Sequence, residues 1–514
     1  MTTTHFGLTA TVTMLILLAL TGNALTDDEV EALPPPLFDS GAAGKHGEDA
    51  RNAIKNVAAQ IQKAAEDAIK SVGGEIGYYN LETGQEEKDK TKIAAENKHD
   101  KDKKKSEAKY AKFVRFTNSN LTDQDLIRLT WALDQISDPK DDLPLAKLDL
   151  RFTKVTGVGL WQRMHLPELV DLDLSSTLVD GRELCELTRF EKLKYLRLNH
   201  DRLMIDGLGE YFYCWRSSLR TGLHLYLSHV SIIESDIVVL PNGCVASKMP
   251  ELAADEWLGK LIRSGQTDCD FLEGLDISNN GVTKTDVLKA LTKVTELSLA
   301  GNKKVSDDQL AFLSERHWAE RTTSLDLTGT GLTDMGLNSL KTYRKLESLS
   351  LSNTNVTDSP NLVALVNNNS RSLKNMDISN TRTMVRVEMQ KAIGRLLNLT
   401  TLSISGTGID DAGMKNICLE LQHGAVGNEN QPYYLGRLAS LDVSKTIVTD
   451  RWLILFDNDG QGLGVGLPAL AFIYLSDKMT AAGIQHRDAY RGNFPVNLPP
   501  DVQETPDRVL TSGK

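Results

Sequence analysis

Cysteine is scarce in this chain, five residues in 514, and none falls in a CxxC pair or at zinc-ligand spacing. Zinc modules and dithiol redox motifs are thereby excluded. No HExxH, GxSxG or phosphate-loop pattern occurs, so the common metalloprotease, hydrolase and nucleotide-binding signatures are missing. Basic residues are outnumbered, 58 Lys and Arg against 69 Asp and Glu, for a net charge of −11. That balance argues against a general nucleic-acid binder. The longest apolar run, about Val12 to Leu20, is too short to span a bilayer.

That run reads instead as the core of a secretory signal. Gly22 and Ala24 are small residues at the −3 and −1 positions of a cut after Ala24. The n-region carries no Lys or Arg, only His5, so an uncleaved anchor stays open beside a cleaved signal over 1–24. Residues 25–112 form a second region. LPPPL (Leu33 to Leu37) is extended and turn-prone. Glu48 to Val72 places Ile54, Val57, Ile61, Ala65, Ala68, Ile69 and Val72 on one helical face. GGEIGYYN (Gly73 to Asn80) reads as a turn and a strand. Lys88 to Lys112 mixes Lys with Asp and Glu and reads as a solvated loop.

From Phe113 onward one phrase recurs. LDLTGTGLTDMGL (Leu325 to Leu337) returns as LDLSSTLVDGREL, LSLSNTNVTDSPN, LSISGTGIDDAGM and LDVSKTIVTDRWL. Its first apolar residue falls at Val114, Leu148, Leu172, Leu196, Leu223, Leu275, Leu297, Leu325, Leu349, Met376, Leu402, Leu441 and Ile473, about thirteen units. Most gaps are roughly 22–28 residues. The gap after Leu223 is about double, which marks 231–271 as an insertion, and the gap after Leu402 is also long. L-x-L has period two, so both leucines face one side of a short strand. A turn follows, then an inward apolar residue, then Thr-Asp or Asp-Asp: Thr122-Asp123, Thr333-Asp334, Thr357-Asp358, Asp410-Asp411 and Thr449-Asp450. These read as a helix N-cap with an acid at the positive end of the helix dipole. No single unit buries its leucines alone; stacked neighbours do.

The pattern LxLSxTxVTDxGL resembles the leucine-rich repeats of the ribonuclease-inhibitor-like superfamily. It is similar to the T-D-x-G-L repeats of secreted planctomycete-type bacterial proteins and of F-box-associated repeat domains. The resemblance covers about Phe113 to Gln485. It implies an α/β solenoid of horseshoe form, with a parallel sheet on the concave face and short helices on the convex face. The helix and strand before it are read as a cap over the open end. The repeat domain is thus 113–485, and 486–514 reads as a disordered C-terminal tail. Such scaffolds are generic binding surfaces, so the fold implies binding without naming a ligand.

The x of L-x-L faces away from the core, onto the concave sheet. From the sixth unit Asp and Ser alternate there: Asp276, Ser298, Asp326, Ser350, Asp377, Ser403 and Asp442. Two residues on, the same face offers Ser or Thr. Strands lie about 4.8 Å apart, so alternation keeps like charges roughly 9–10 Å apart. This half reads as a soluble face on which Asp accepts hydrogen bonds from neighbouring hydroxyls, with a cationic partner as the sharper alternative. The N-terminal half differs, offering Asp149, Arg151, Asp173, Tyr195, Arg197, His224 and Tyr226. Tyr and Arg are enriched at binding hot spots, so this half is the candidate site.

Among the cysteines, Cys185 and Cys418 sit in apolar helical contexts and read as buried small hydrophobes. Cys214, Cys244 and Cys269 flank or lie in the insertion, and an oxidising compartment would pair two of the three. DNDGQGLGVG (Asp457 to Gly466) opens like a calcium loop, but Pro468 stands where a bidentate Glu is needed. Sequons at Asn120, Asn355, Asn368 and Asn398 matter only in a eukaryotic secretory route. The sequence therefore predicts an exported, non-catalytic binding protein with no cofactor or metal. Its expected partner is a protein, with no nucleic acid and no membrane span in the mature chain. A substrate-recognition subunit of a ubiquitin ligase is the first rival, weakened by the signal segment and the absence of an F-box-like helical segment before Phe113; the second is an enzyme with its site in the insertion Ser231 to Phe271, which no residue constellation supports.

Overall fold

The computed structural model describes residues 59–81, 85–93, 109–117, 119–137, 143–217, 222–233, 236–239, 245–248, 251–263, 271–423, 437–449, 472–474, 476, 478 and 496–497. The signal segment 1–24, the loop centre 94–108, the glycine-rich stretch 457–466, Cys244, Cys269 and the tail from 498 lie outside them. The chain divides into two compact units, Met1–Ser218 and Leu219–Lys514.

In the first unit a helix over 59–71 turns through Gly73, at φ 85°, into the strand Gly74–Asn80. Ala65 and Ile69 are the buried face of that helix. Gly74 packs so tightly on Ile69 and Phe116 that no Cβ fits. The strand pairs antiparallel with Tyr110–Phe116. Tyr110–Phe116 in turn pairs parallel with Leu145–Asp149, then Asp171–Asp173, then Tyr195–Arg197. The antiparallel pair thus lies at the outer edge of a parallel sheet. An edge left bare would offer unpaired N–H and C=O groups to another chain.

In the second unit the strands Leu223–Tyr226, Leu272–Asp276, Glu296–Ser298, Ser324–Asp326, Ser348–Ser350, Asn375–Asp377, Thr401–Ser403, Ser440–Asp442 and Phe472–Tyr474 run parallel in register. Leu275, Leu297, Leu325, Leu349, Met376, Leu402, Leu441 and Ile473 pair in sequence, as the L-x-L spacing predicts. Leu299, Leu327, Leu351, Ile378 and Ile404 are fully buried. Each such side chain contributes about 1.5–3 kcal/mol on leaving water. The opposite layer is short: the helices Pro360–Asn368 and Val387–Gly394, and 3-10 turns such as Asp286–Ala290 and Gly336–Ser339. The two longest gaps hold longer helices, Ala254–Arg263 and Asp411–His423.

One conformational feature ties the units of the repeat together. The fourth residue after the first core residue is left-handed in eleven successive repeats: Phe152, Ser176, His200, His229, Asn279, Gly301, Gly329, Asn353, Asn380, Gly406 and Lys445, at φ between 52° and 72°. The turn out of the strand demands this conformation, in which most side chains are strained. Gly301 and Gly329 meet it without strain. At the other positions the ladder holds it. The N–H of Asn353 donates to the carbonyl of Ser379, and that of Asn380 to Ser405.

This feature corrects the register of the fifth repeat. The sequence reading takes Leu223 as its first core residue, but Leu225 pairs with Leu275, and His229 is the left-handed fourth residue after it. Leu223, Leu225 and Leu227 repeat at period two, so either pair satisfies the leucine pattern, and a shift between Leu272 and Gly274 absorbs the offset. Tyr226 therefore takes the x position, and His224 the position one before the core residue.

The acids of the Thr-Asp and Asp-Asp pairs do more than expected: Asp123 and Asp411 stand in the first turn of a helix, as expected, but their carboxylates also bond the neighbouring repeat. Asp123 accepts the N–H and hydroxyl of Thr156 in the next repeat, at 3.0 and 2.7 Å. Asp255 does the same for Thr283, Asp307 for Thr333, Asp334 for Thr357 and Asp411 for Thr449, with hydroxyl distances of 2.5–2.6 Å. Asp358 accepts three backbone N–H groups, of Met384, Val385 and Arg386. These carboxylates latch one repeat to the next. Capping survives at Asp410, which accepts the N–H of Gly413, and at Asp125, which reaches back to the N–H of Thr122. Both roles use a carboxylate facing backbone N–H groups, so the local sequence cue is the same.

Candidate functional site

The first unit gathers a charged array on the open face of its sheet. Asp149 is 2% exposed and bound in two-pronged fashion by Arg151, at 2.9 and 2.7 Å. Arg115 donates to its Oδ2 at 3.1 Å and to Glu86 at 2.5 Å. Arg151 also approaches Asp173 at 3.3 Å. Asp171 accepts Lys147 at 3.1 Å and pairs with Arg197. The Arg197 guanidinium lies 5.9 Å from the Tyr195 ring centre. Two interlocked ion networks result, one through Asp149 and Asp173, the other through Asp171.

Their electrostatics diverge. Burial alone would raise the Asp149 carboxyl, but Arg151 and Arg115 outweigh it and hold it below the usual range. Burial raises Asp173, only partly opposed by hydrogen bonds from Ser175, and the Asp149 charge raises it further. Tyr79, from the capping strand, is raised by burial and by Asp171. Exposure separates the signs. The side chains of Asp149, Asp171 and Asp173 are 2, 11 and 8% exposed, while Lys147, Arg197 and Arg151 are 29, 24 and 42% exposed.

Of the expected site residues, Asp149, Arg151, Asp173, Tyr195 and Arg197 come together here in the first unit. His224 and Tyr226 belong to the second. His224 is buried and its Nδ1 meets Glu296 at 3.2 Å. Its ring lies over Gly274, where any Cβ would collide with it. Sequence reasoning missed Lys147 and Asp171. Both stand two residues before an expected site residue, so the period-two rule that found Asp149 and Asp173 reaches them as well.

The second unit's face is chemically quieter. Asp276, Asp326, Asp377 and Asp442 each accept the N–H of the residue two further on, at 2.9 Å in every case. Some hydroxyls pair with one another, Thr328 with Ser350 at 2.6 Å and Ser405 with Ser444 at 2.8 Å. Others donate to the ladder: Ser379 closely to Asp377, Ser298 to Asp326 and Ser403 to Asp442 at 3.5 Å. The expected acceptance from neighbouring hydroxyls occurs, beside a bond that closes the strand's own turn. Among the described residues no group of three or more His, Cys, Asp or Glu could hold a metal ion. No helix among them is long and apolar enough to cross a membrane.

The cysteine expectation needs correcting. Cys214 is bonded to Cys185, with Cα atoms 5.7 Å apart. It joins the 3-10 turn Leu184–Arg189 to the helix Ile205–Ser217. Cys185 is half-buried rather than an enclosed hydrophobe. Cys214 is therefore paired with the preceding repeat and not with a cysteine of the insertion. The side chain of Cys418 and both Cys244 and Cys269 lie outside the described residues.

Strand, left-handed turn and latch, repeated in register, give the chain the fold of a leucine-rich repeat solenoid. A family model described as "Leucine Rich repeat" matches residues 396–418, the span of one repeat. No curated protein matches the chain. Solved structures with similarity include an internalin from Listeria monocytogenes, 16% identical with a TM-score of 0.36, over 77% of this chain and 91% of that one. A leucine-rich repeat protein of Leptospira interrogans is 15% identical with a TM-score of 0.37, over 74% and 83%. TLR13 in its complex with ssRNA13 is 18% identical with a TM-score of 0.39, over 72% of this chain and 46% of TLR13. At these scores the fold assignment rests on the repeat geometry itself.

Proposed function

We propose that this is an exported binding protein that holds a protein partner on the open sheet face of its first unit. The observation that carries the reading is the sorting of charge by depth. Three carboxylates lie at or below 11% exposure, while the cationic heads they anchor stand 24–42% exposed beside Tyr195. Guanidinium groups fixed in this way lose little rotamer freedom when a partner arrives, which is where preorganised surfaces gain affinity. The Cys185–Cys214 bond supports the exported reading, since structural disulfides persist in oxidising compartments. The same bond weighs against an intracellular ubiquitin-ligase role.

The test is a capture experiment with the chain from residue 25 onward, followed by quantitative binding of the recovered partner. Arg151→Ala and Arg197→Ala should each weaken binding by about 1 kcal/mol or more, roughly fivefold. Asp326→Ser with Asp377→Ser should change mainly its salt dependence. If the Asp changes abolish binding while the Arg changes are neutral, the site is the acidic ladder of the second unit.

A further inference from the structure

The fifth residue after each first core residue closes the turn from inside. At Thr153, Thr330, Thr354, Thr381, Thr407 and Thr446 the side chain is buried. Each hydroxyl donates to the carbonyl three residues back, at 2.6–2.7 Å. At Asn302, fully buried, the amide works in both directions. Its Oδ1 accepts the N–H of Asn280 at 3.2 Å and of Val282 at 3.0 Å. Its Nδ2 donates to the carbonyls of Ile277 and Leu299 at 3.0 and 2.9 Å. At these seven positions the side chain supplies a proton to a backbone oxygen; Val230, at the same place in the fifth repeat, has none to give.

In the fourth repeat the position holds Asp201, 2% exposed. Its Oδ1 accepts the N–H of Thr177 at 2.8 Å, the bond that Asn302 takes from Asn280 one repeat back. Its Oδ2 is buried and has no hydrogen-bond partner among the described residues. By the equivalence of repeats, Oδ2 corresponds to the Nδ2 of Asn302, the atom that there donates to two backbone oxygens. An ionised carboxylate has nothing to donate there. It would set a buried charge against carbonyl dipoles, an arrangement costing several kcal/mol.

We infer that Asp201 is a neutral carboxylic acid in the folded chain, its Oδ2 proton serving as the donor of the fourth repeat, which makes this turn a proton-dependent joint. The surroundings agree. Burial pushes the Asp201 carboxyl up to about 8, and the negative Asp173 on the neighbouring strand pushes the same way; the N–H and hydroxyl of Thr177 and the N–H of Ser176 oppose them without cancelling them. Among the described residues no cation forms an ion pair with it. The chain neighbours His200 and Arg202 are both exposed to solvent. The joint matters to the sheet face because the same turn carries Asn199, whose N–H donates to the Ser175 hydroxyl at 3.3 Å, two residues from Arg197.

The sign of the pH effect follows. The folded carboxyl binds its proton more tightly than the unfolded one, whose ordinary value is about 3.9. The stabilisation is fully present below that value and is lost as pH rises toward about 8. Asp201→Asn keeps the shape and supplies a permanent donor, so it should not share this loss. In urea unfolding of the full chain from pH 5 to 9, the unfolding constant of wild type relative to Asp201→Asn should rise by up to about tenfold per pH unit below pH 8 and then level off. Asp201→Ala, with no donor at any pH, should be weaker than wild type at pH 5. Parallel pH profiles for wild type and Asp201→Asn would overturn the inference. Infrared spectra of the wild-type chain, labelled at aspartate with carbon-13, are read independently of any variant's folding. They should keep a protonated-carboxyl band at pH 7 that disappears by pH 9; its absence at pH 7 would overturn the inference as well.

Discussion

Asp358 is the tightest of the inter-repeat latches and the place to test whether latches hold the stack. Its carboxylate is 5% exposed and accepts the N–H groups of Met384, Val385 and Arg386 at 2.7, 2.7 and 2.6 Å. The turn it grips includes Met384, left-handed at φ 67° with a fully buried side chain. A hydrogen bond to a charged group contributes about 1.5–3 kcal/mol net, but three bonds on one carboxylate do not add in full. Val385 is 66% exposed, so water can replace part of what is lost. Asp358→Ala should therefore cost about 3 kcal/mol, and Asp358→Asn, which keeps one oxygen, about 2 kcal/mol. Asp326→Ala is the control. It also accepts a backbone N–H, but a single one, on the half-buried open face, and should cost less than about 1 kcal/mol. With two compact units, a global transition need not be two-state. Amide hydrogen exchange at Met384 to Arg386 is the local readout, to be set beside urea unfolding. If Asp358→Ala loses no more than Asp326→Ala and exchange at those three amides is unchanged, the latches are geometry without energetic weight.

Three further outcomes are expected. Leu327→Asp places an unpaired charge at a site with no exposure, costing several kcal/mol; melting within a degree or two of wild type would show that the register is wrong. Peptide mapping without reduction should recover Cys185 joined to Cys214, and Cys185→Ser with Cys214→Ser should lower stability by about 3 kcal/mol for a loop of this span; both cysteines alkylated as free thiols would refute the pairing. Phe152→Gly removes a 65% exposed side chain from a left-handed residue, so it should be neutral or stabilising by up to about 1 kcal/mol; a clear drop in melting temperature would mean that Phe152 contributes contacts outweighing its strain.

The parity of L-x-L was legible without coordinates, because period two admits only two faces and leucine marks the inner one. Parity also placed Asp149, Arg151, Asp173, Tyr195 and Arg197 correctly on one surface. The register at Leu223, Leu225 and Leu227 was not legible, since three leucines at period two define two equal phrases. The left-handed His229 and the pairing of Leu225 with Leu275 decide between them, and a single histidine is a weak signal for that conformation. The latches were misread because Asp before a helix and Asp facing the next repeat's Thr leave the same local trace. The partner of an Asp one repeat away is a property of stacking. Cys185 with Cys214 was missed for the same reason: the apolar context that suggested burial says nothing about which thiol the neighbouring repeat brings alongside.

The Asp of the recurring phrase is best understood by dividing its two oxygens. In Asp149, Asp173, Asp276, Asp326, Asp377 and Asp442 alike, Oδ1 accepts the N–H of the residue two further on, at 2.9–3.2 Å. That N–H lies at the end of a short strand and would otherwise need water. This half of the carboxylate belongs to the fold, and its recurrence implies no ligand. What differs between the units is the group beside Oδ2. In the first unit it is an arginine: Arg115 and Arg151 at Asp149, and Arg151 at Asp173. In the second it is a distant hydroxyl at Asp326 and Asp442. Selection for folding alone explains the shared bond in both units. It does not explain why one unit places guanidinium groups on buried carboxylates, where a surface Ser would close the same turn at lower desolvation cost. That difference, and not the acidity common to both faces, is the reason to look for the partner on the first unit.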